Sequence, residues 1–173
     1  FWFSESFPDA DYVGPFSPWD TDLLAAFRAA PGRTEMLGIA SRHKDGPSYT
    51  LVVYDEPVVL YQFPLTLGTQ WVSEVGFSDA VLQGVKNAGT ERYEFTVDGR
   101  GTLRLPQFTL ENTLRIRLDL TQTFVVSEGD PAVRHVWYLY VHECLGEVAR
   151  IVSLPGETSG SFETAAEFRR LGL

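Results

Sequence analysis

Apolar and polar residues alternate with a period of two along most of the chain between Thr34 and Leu154. The stretch from Thr113 to Val126 shows this best, because leucine or isoleucine fills alternate positions and charged residues fill several positions between them. Alternation of this kind is typical of β-strands that turn one face toward a core. We therefore expect an antiparallel meander over residues 33–154.

Predicted turns divide this meander into about ten strands. A tight reversal is predicted at Asp98-Gly99, because both residues tolerate the positive φ angles of a two-residue hairpin, and a proline corner follows at Pro106. Further joints are predicted where proline or glycine interrupts the alternation, at residues 44–47, 55–57, 65–69, 87–89 and 128–131. Sheets of this size twist and curl, so the predicted fold class is mainly β: a strongly curved antiparallel sheet, either a half-barrel or a barrel.

Two short peripheral helices complete the predicted fold, and residues 1–173 are expected to form a single domain. The first helix is predicted over residues 20–31, before Pro31-Gly32. Its apolar stripe consists of Leu23, Leu24, Phe27 and Ala30. The second helix is predicted over residues 161–171, where Arg169 and Arg170 would lie at the end that a helix dipole favours for cations.

Residues 1–19 are rich in aromatic residues and prolines. They predict an extended arm that packs over the domain, and the alternative is a hydrophobic site for a partner. The chain begins at Phe1 without a methionine, which suggests that an upstream segment has been removed.

The composition fits a packed globular chain with an acidic surface. Hydrophobic residues make up 44% of the 173 positions, and the net charge is -9. A nucleic-acid phosphate backbone would repel such a surface, so we expect no nucleic-acid partner. A run of about 18 apolar residues is absent from the sequence, so we also expect no transmembrane segment.

The residues that usually carry catalysis or bind metals are few and poorly placed. Cys144 is the single cysteine and is expected to be a small buried apolar residue. His135 and His142 are seven positions apart on one predicted strand and so face opposite sides, which prevents them from sharing a metal. We therefore predict no cofactor, no metal site and no enzymatic activity. The catalytic alternative is a carboxylate-dependent hydrolase, for which Glu91, Glu143 and Glu147 are candidates.

Several motifs resemble the core of secreted or surface-anchored bacterial proteins of unknown function. That core reads Y-P-L-T-x-G, a tryptophan, D-G-x-G-T-L-x-L-P and N-x-L-R. The chain has F-P-L-T-L-G at Phe63–Gly68, then Trp71, Asp98–Pro106 and Asn112–Arg115. It departs at Phe63, where the family usually has tyrosine, and at Phe108, where a glycine often follows the proline corner. The resemblance implies an extracytoplasmic location and a curved sheet similar to the LolA-like periplasmic lipoprotein carriers. It implies no catalytic residues.

Aromatic residues of one predicted strand suggest a surface for an apolar ligand. Tyr138 and Tyr140 share one face of residues 133–142 and Trp137 lies on the other, while Tyr93 and Phe95 could join either layer. If the concave face is open, these five residues would bind a lipid or another hydrophobic ligand, which is the function we predict. If the helices and the arm fill that face, the alternative function is a protein-interaction or structural module of the cell envelope.

Overall fold

The computed structural model describes residues 1–16, 21–44, 48–125 and 132–172, and these residues form a mainly β structure. Ten strands pair in the order in which they occur along the chain, in one sheet, so the predicted antiparallel meander is confirmed. The strands are β1 (Tyr12–Pro15), β2 (Leu23–Ala30), β3 (Arg33–Ser41), β4 (Leu51–Gln62), β5 (Gln70–Leu82), β6 (Val85–Arg104), β7 (Thr109–Phe124), β8 (Val133–His142), β9 (Gly146–Ser153) and β10 (Ala165–Arg170).

The chain packs as two compact units. Unit 1 comprises Phe1–Pro64, Ser73–Arg92 and Gln122–Ala132, and unit 2 comprises Leu65–Val72, Tyr93–Thr121 and Val133–Leu173. Because β5, β6 and β7 each contribute residues to both units, neither unit corresponds to one continuous stretch of sequence.

Alternating burial explains why these segments form strands. In β6, Tyr93, Phe95 and Val97 are buried and the residues between them are exposed or half-buried. In β7, Ile116 and Leu118 are buried in the same alternating way. Both strands therefore turn an apolar face toward the core, as the period of two predicts.

The helix predicted over residues 20–31 is wrong, because residues 23–30 form β2. This strand pairs with β1 on one side and with β3 on the other, so that Leu24 lies opposite both Pro15 and Ala40. Ala25 and Ala26 are both buried although they point to opposite faces. The helix preference of alanine over most residues is below about 0.7 kcal/mol per position, and pairing on both sides outweighs it.

The helix predicted over residues 161–171 is also wrong, because Ala165–Arg170 is strand β10. It pairs with β9, with Phe168 opposite Ile151 and Arg169 opposite Arg150. The segment is too short to be stable as a helix without a buried stripe, whereas β9 supplies a row of backbone partners.

The reversal predicted at Asp98-Gly99 is wrong, since β6 runs through both residues. The Asp98 carboxylate instead accepts two hydrogen bonds from Arg115 on β7, from Nε at 2.8 Å and from Nη2 at 3.0 Å. The chain turns after Arg104, where the Leu105 N–H donates to the Phe108 carbonyl.

Two other predicted joints also lie inside strands. Asp55–Pro57 belongs to a bulge of β4. Val58 lies opposite Met36 and Val53 lies opposite Gly38, so β4 has more residues than β3 between these two pairs. Residues 87–89 lie within β6, where a Cβ on Gly89 would clash with the Thr123 carbonyl. That glycine therefore serves close packing, while the turn before β6 uses Gln83 and Gly84, both with positive φ.

The predicted turn over residues 65–69 is confirmed as a break between β4 and β5. The joints predicted at residues 44–47 and 128–131 extend into, or lie within, the part of the chain outside the described ranges.

The N-terminal arm is part of the core of unit 1. Phe3 and Phe7 are buried in a cluster with Leu24, Ala26 and Ala40. A short 3-10 turn at Ser4–Ser6 separates the two phenylalanines. Phe3 and Phe7 therefore pack against the sheet, whereas residues 12–15 of the predicted arm form strand β1 and Trp19 lies outside the described ranges.

Candidate functional site

The five aromatic residues predicted to bind a ligand lie in unit 2, on two opposite faces of its strands. In β8, Trp137 is opposite Val152 and Tyr138 is opposite Ile151, so the two neighbouring rings point to opposite sides. We call these sides the Trp137 face and the Tyr138 face. The guanidinium of Arg115 lies 4.9 Å from the centre of the Tyr138 ring, which places Arg115 on the Tyr138 face.

Tyr93 and Phe95 belong to the Trp137 face. Asp98 binds Arg115 and so lies on the Tyr138 face, and Phe95 is three positions away on a regular strand. The Phe95 ring stacks on Trp71 with centroids 4.6 Å apart and on Tyr93 with centroids 6.2 Å apart. Phe95 is 2% exposed. This aromatic stack (Trp71, Phe95 and Tyr93) therefore fills its own volume and forms part of the core.

Trp137 is half-buried beneath a charged side chain. The guanidinium of Arg150 lies 5.1 Å from the Trp137 ring centre, and Arg150 also donates to the Glu147 carboxylate. Within the described part of the chain, the buried indole Nε1 of Trp137 makes no hydrogen bond. An unsatisfied buried donor of this kind marks a position that an acceptor would stabilise.

Different residues pack against the Tyr138 face. The Tyr138 hydroxyl donates to the Gly160 carbonyl at 2.7 Å, and its ring stacks on Phe162 at 6.0 Å. Tyr140 is two positions further along β8 on the same face and is half-buried. The structure therefore does not bring the five predicted residues to one surface: three lie on the Trp137 face and two on the Tyr138 face.

The Tyr138 face continues across β9 to the edge of the sheet. Tyr138 is opposite Ile151, and Ile151 is opposite Phe168 in β10, so the three apolar side chains form a row. Phe168 ends the row and is 56% exposed. We call these residues the C-terminal apolar row. The sequence analysis missed it because residues 161–171 were predicted to be helical, although the alternation of Glu167, Phe168 and Arg169 also fits a strand.

A polar cavity of about 230 Å³ also lies in unit 2. Its lining includes Glu94, Asp119, Thr121, Arg134, His135 and Glu157. Arg117 donates to Asp119 at 2.7 Å, and Glu157 accepts the backbone N–H groups of Thr158 and Ser159. Asp119 and Glu157 are therefore held by local contacts at the cavity wall.

The carboxylates considered for hydrolysis each have a structural environment of their own. Glu91 is buried in unit 1 and accepts hydrogen bonds from the Tyr54 hydroxyl at 2.8 Å and from Gln122 Nε2 at 2.7 Å. In unit 2, Glu147 pairs with Arg150, and Glu143 is exposed in the turn after β8. These contacts describe fixed or solvated carboxylates, without the facing pair that glycosidase chemistry uses.

Histidine and cysteine also lack the surroundings of a reactive centre. Burial lowers the pKa of His135, which favours its neutral form. Cys144 is exposed, so the prediction that it is buried is wrong; it lies in the turn between β8 and β9, where its side chain leaves the sheet. Within the described ranges, histidine, cysteine and carboxylate side chains form no group of three or more that could hold a metal ion.

Comparison with protein families, with curated proteins and with solved structures finds no match to this chain. None of the described residues form a helix of the length and apolar character needed to cross a membrane.

Proposed function

We propose that this protein is a non-enzymatic protein-interaction module of the cell envelope that binds through the C-terminal apolar row. The observation that carries this proposal is the exposure of Phe168 at the end of a row whose other members are Tyr138 and Ile151. A large apolar ring at the end of such a row loses its contact with water when a partner covers it, and aromatic side chains are enriched at protein interfaces for this reason.

The filled interior of unit 2 supports a surface role. Trp71, Phe95 and Tyr93 stack on one another and are buried, so these rings of the Trp137 face stabilise the fold. The polar cavity of unit 2, at about 230 Å³, is smaller than the roughly 300 Å³ at which ligand pockets begin. The envelope location is a further part of the proposal and rests on the resemblance of Phe63–Gly68 and Asp98–Pro106 to secreted bacterial proteins.

Site-specific photo-crosslinking tests this proposal. A photo-crosslinking phenylalanine derivative is placed at position 168 in the cells that naturally produce the protein. The matched control carries the same derivative at position 63, because Phe63 is 51% exposed but lies in unit 1. We expect a discrete protein adduct from position 168 and none from position 63. The same adducts from both positions, or no adduct from position 168, would contradict the proposal.

A hydrophobic ligand on the Trp137 face is the second candidate, and the buried Nε1 of Trp137 is the observation that favours it. An oxygen of a bound lipid would accept that hydrogen bond. This candidate also requires the meander to bend into the half-barrel that its ten strands predict, with Trp137 on the concave side. Native mass spectrometry of gently purified protein tests it: a bound lipid, lost on Trp137→Phe substitution, is the expected result, and a protein that carries and takes up nothing contradicts it.

A further inference from the structure

Among the described residues, no strand pairs with the second edge of β10, and the sequence of this edge is complementary to itself. The order of strands ends at β10, which pairs with β9 on one side. The Leu171 N–H donates to the Val148 carbonyl of unit 2, so by the alternation of antiparallel hydrogen bonds the backbone groups of Arg169 and Glu167 also point toward β9. The N–H and C=O groups of Phe168 and Arg170 therefore point away from β9, toward the open edge.

From this edge we infer that the protein binds a second copy of itself, through antiparallel pairing of β10 with β10 around a two-fold axis at Phe168. This inference rests on the proposed interaction role of the C-terminal apolar row and names the partner. In this register Phe168 lies opposite Phe168 of the second copy, and the two residues exchange both backbone hydrogen bonds.

Charge favours this register over the two-fold alternatives centred on Glu167, Arg169 or Arg170. With the axis at Phe168, Glu167 of each copy lies directly opposite Arg169 of the other, so two oppositely charged pairs form. With the axis at Glu167, Arg169 or Arg170, a residue of like charge faces its own copy, which is destabilising. In the single chain, Arg169 Nε lies 2.9 Å from the Glu167 carboxylate, so both groups already share one face of the strand.

The other edge of the sheet lacks these properties. Strand β1 has four residues and ends in Pro15, which has no N–H to donate. Short length and proline are ways in which native sheets block pairing at an edge. Strand β10 is longer, has no proline, and places an exposed phenylalanine at its centre.

Sedimentation equilibrium of the full chain, at concentrations up to on the order of 1 mM, tests the inference. We expect a reversible monomer–dimer equilibrium in the wild type. The variant Arg169→Glu should weaken dimerisation by about tenfold or more, because it places like charges opposite each other at two positions. The double variant Glu167→Arg/Arg169→Glu restores opposite charges across the axis and should recover most of the dimer.

A second pair of variants keeps the test decisive if the charge variants fail to fold. Phe168→Pro removes a backbone N–H donor that points to the open edge, so it should abolish the dimer. Prolines are tolerated at such edge positions, so circular dichroism should still report a folded chain. Phe168→Ala retains the donor and should weaken the dimer less. A wild type that stays monomeric, or a dimer that is unchanged in Phe168→Pro, overturns the inference. If a crosslink from position 168 then reaches a different protein, the proposed function stands and the inference about the second copy fails.

Discussion

One buried group from each unit shows a different way of stabilising the fold. Unit 2 buries the aromatic stack of Trp71, Phe95 and Tyr93, whereas unit 1 buries the carboxylate of Glu91 between Tyr54 and Gln122. Phe95 and Glu91 are similarly hidden, at 2% and 6% exposure. Burial alone therefore does not show how a residue stabilises the fold.

The two interiors should respond differently to substitution. Removing an aromatic ring loses apolar burial and leaves a cavity, so the cost depends on the volume that is removed. Removing a buried carboxylate leaves its hydrogen-bond donors without an acceptor, so the cost depends on which partners remain. The same rule implies that replacing donor and acceptor together should cost less than the sum of the two single changes.

The largest expected effect is on the aromatic interior. Phe95→Ala should lower the free energy of unfolding by about 3–5 kcal/mol, because the ring is fully buried between Trp71 and Tyr93. Urea unfolding followed by circular dichroism measures the change. Phe168→Ala is the matched control and should change stability by no more than about 0.5 kcal/mol, since that ring is exposed. Equal losses in the two variants would show that the stack is not the centre of the interior.

A smaller effect is expected in the polar interior. Glu91→Leu should lower the free energy of unfolding by about 1–3 kcal/mol, because the Tyr54 hydroxyl and the Gln122 amide lose their carboxylate acceptor. Glu56→Leu changes an exposed carboxylate of the same unit and serves as the control. The double variant Tyr54→Phe/Glu91→Leu should lose less than the sum of the single losses. Additive losses would mean that the two residues do not stabilise the fold through their hydrogen bond.

The smallest effect concerns pH and unit 2. Because burial lowers the pKa of His135 below its usual 6.5, the unfolded chain takes up a proton there before the folded chain does. His135 therefore contributes stability above about pH 6.5 that is lost as the pH falls toward its lower folded pKa.

The urea midpoint at about pH 7.5 and pH 5.5 measures this loss. His135→Gln should lose less stability than the wild type between these two pH values. An equal loss of stability in His135→Gln and in the wild type would show that His135 does not cause this pH dependence.

The period of two predicted most of the strands because many of them turn one face to the core. β7 is the clearest case, since Ile116, Leu118 and Leu120 occupy alternate positions and are buried. The prediction failed where pairing partners, rather than the local pattern, decide the structure. Leu23–Ala30 has the composition of a helix, yet it lies between β1 and β3 with both faces covered.

Residue types that favour turns did not always mark the position of a turn. Asp98 and Gly99 favour a hairpin when only the neighbouring residues are considered. In the structure both lie within the continuous strand β6, where Asp98 binds Arg115, seventeen positions later in the sequence. Long-range contacts of this kind cannot be read from neighbouring residues, which also explains why the meander contains fewer breaks than predicted.

The candidate site was predicted in part. Alternation correctly placed Trp137 and Tyr138 on opposite faces of one strand. It could not assign Tyr93 and Phe95 to a face, because that assignment depends on the pairing of β6 with β7 and of β7 with β8. Phe168 was missed altogether, since an exposed aromatic residue at a sheet edge is recognisable only after the edge is known.

The packing of the N-terminal arm has a consequence for how the protein is made. Phe3 and Phe7 leave the ribosome before the residues that cover them, which extend to Ala40. At about 5–20 residues per second, these two rings would stay uncovered for several seconds on the nascent chain. During that interval they expose apolar surface that a chaperone could cover.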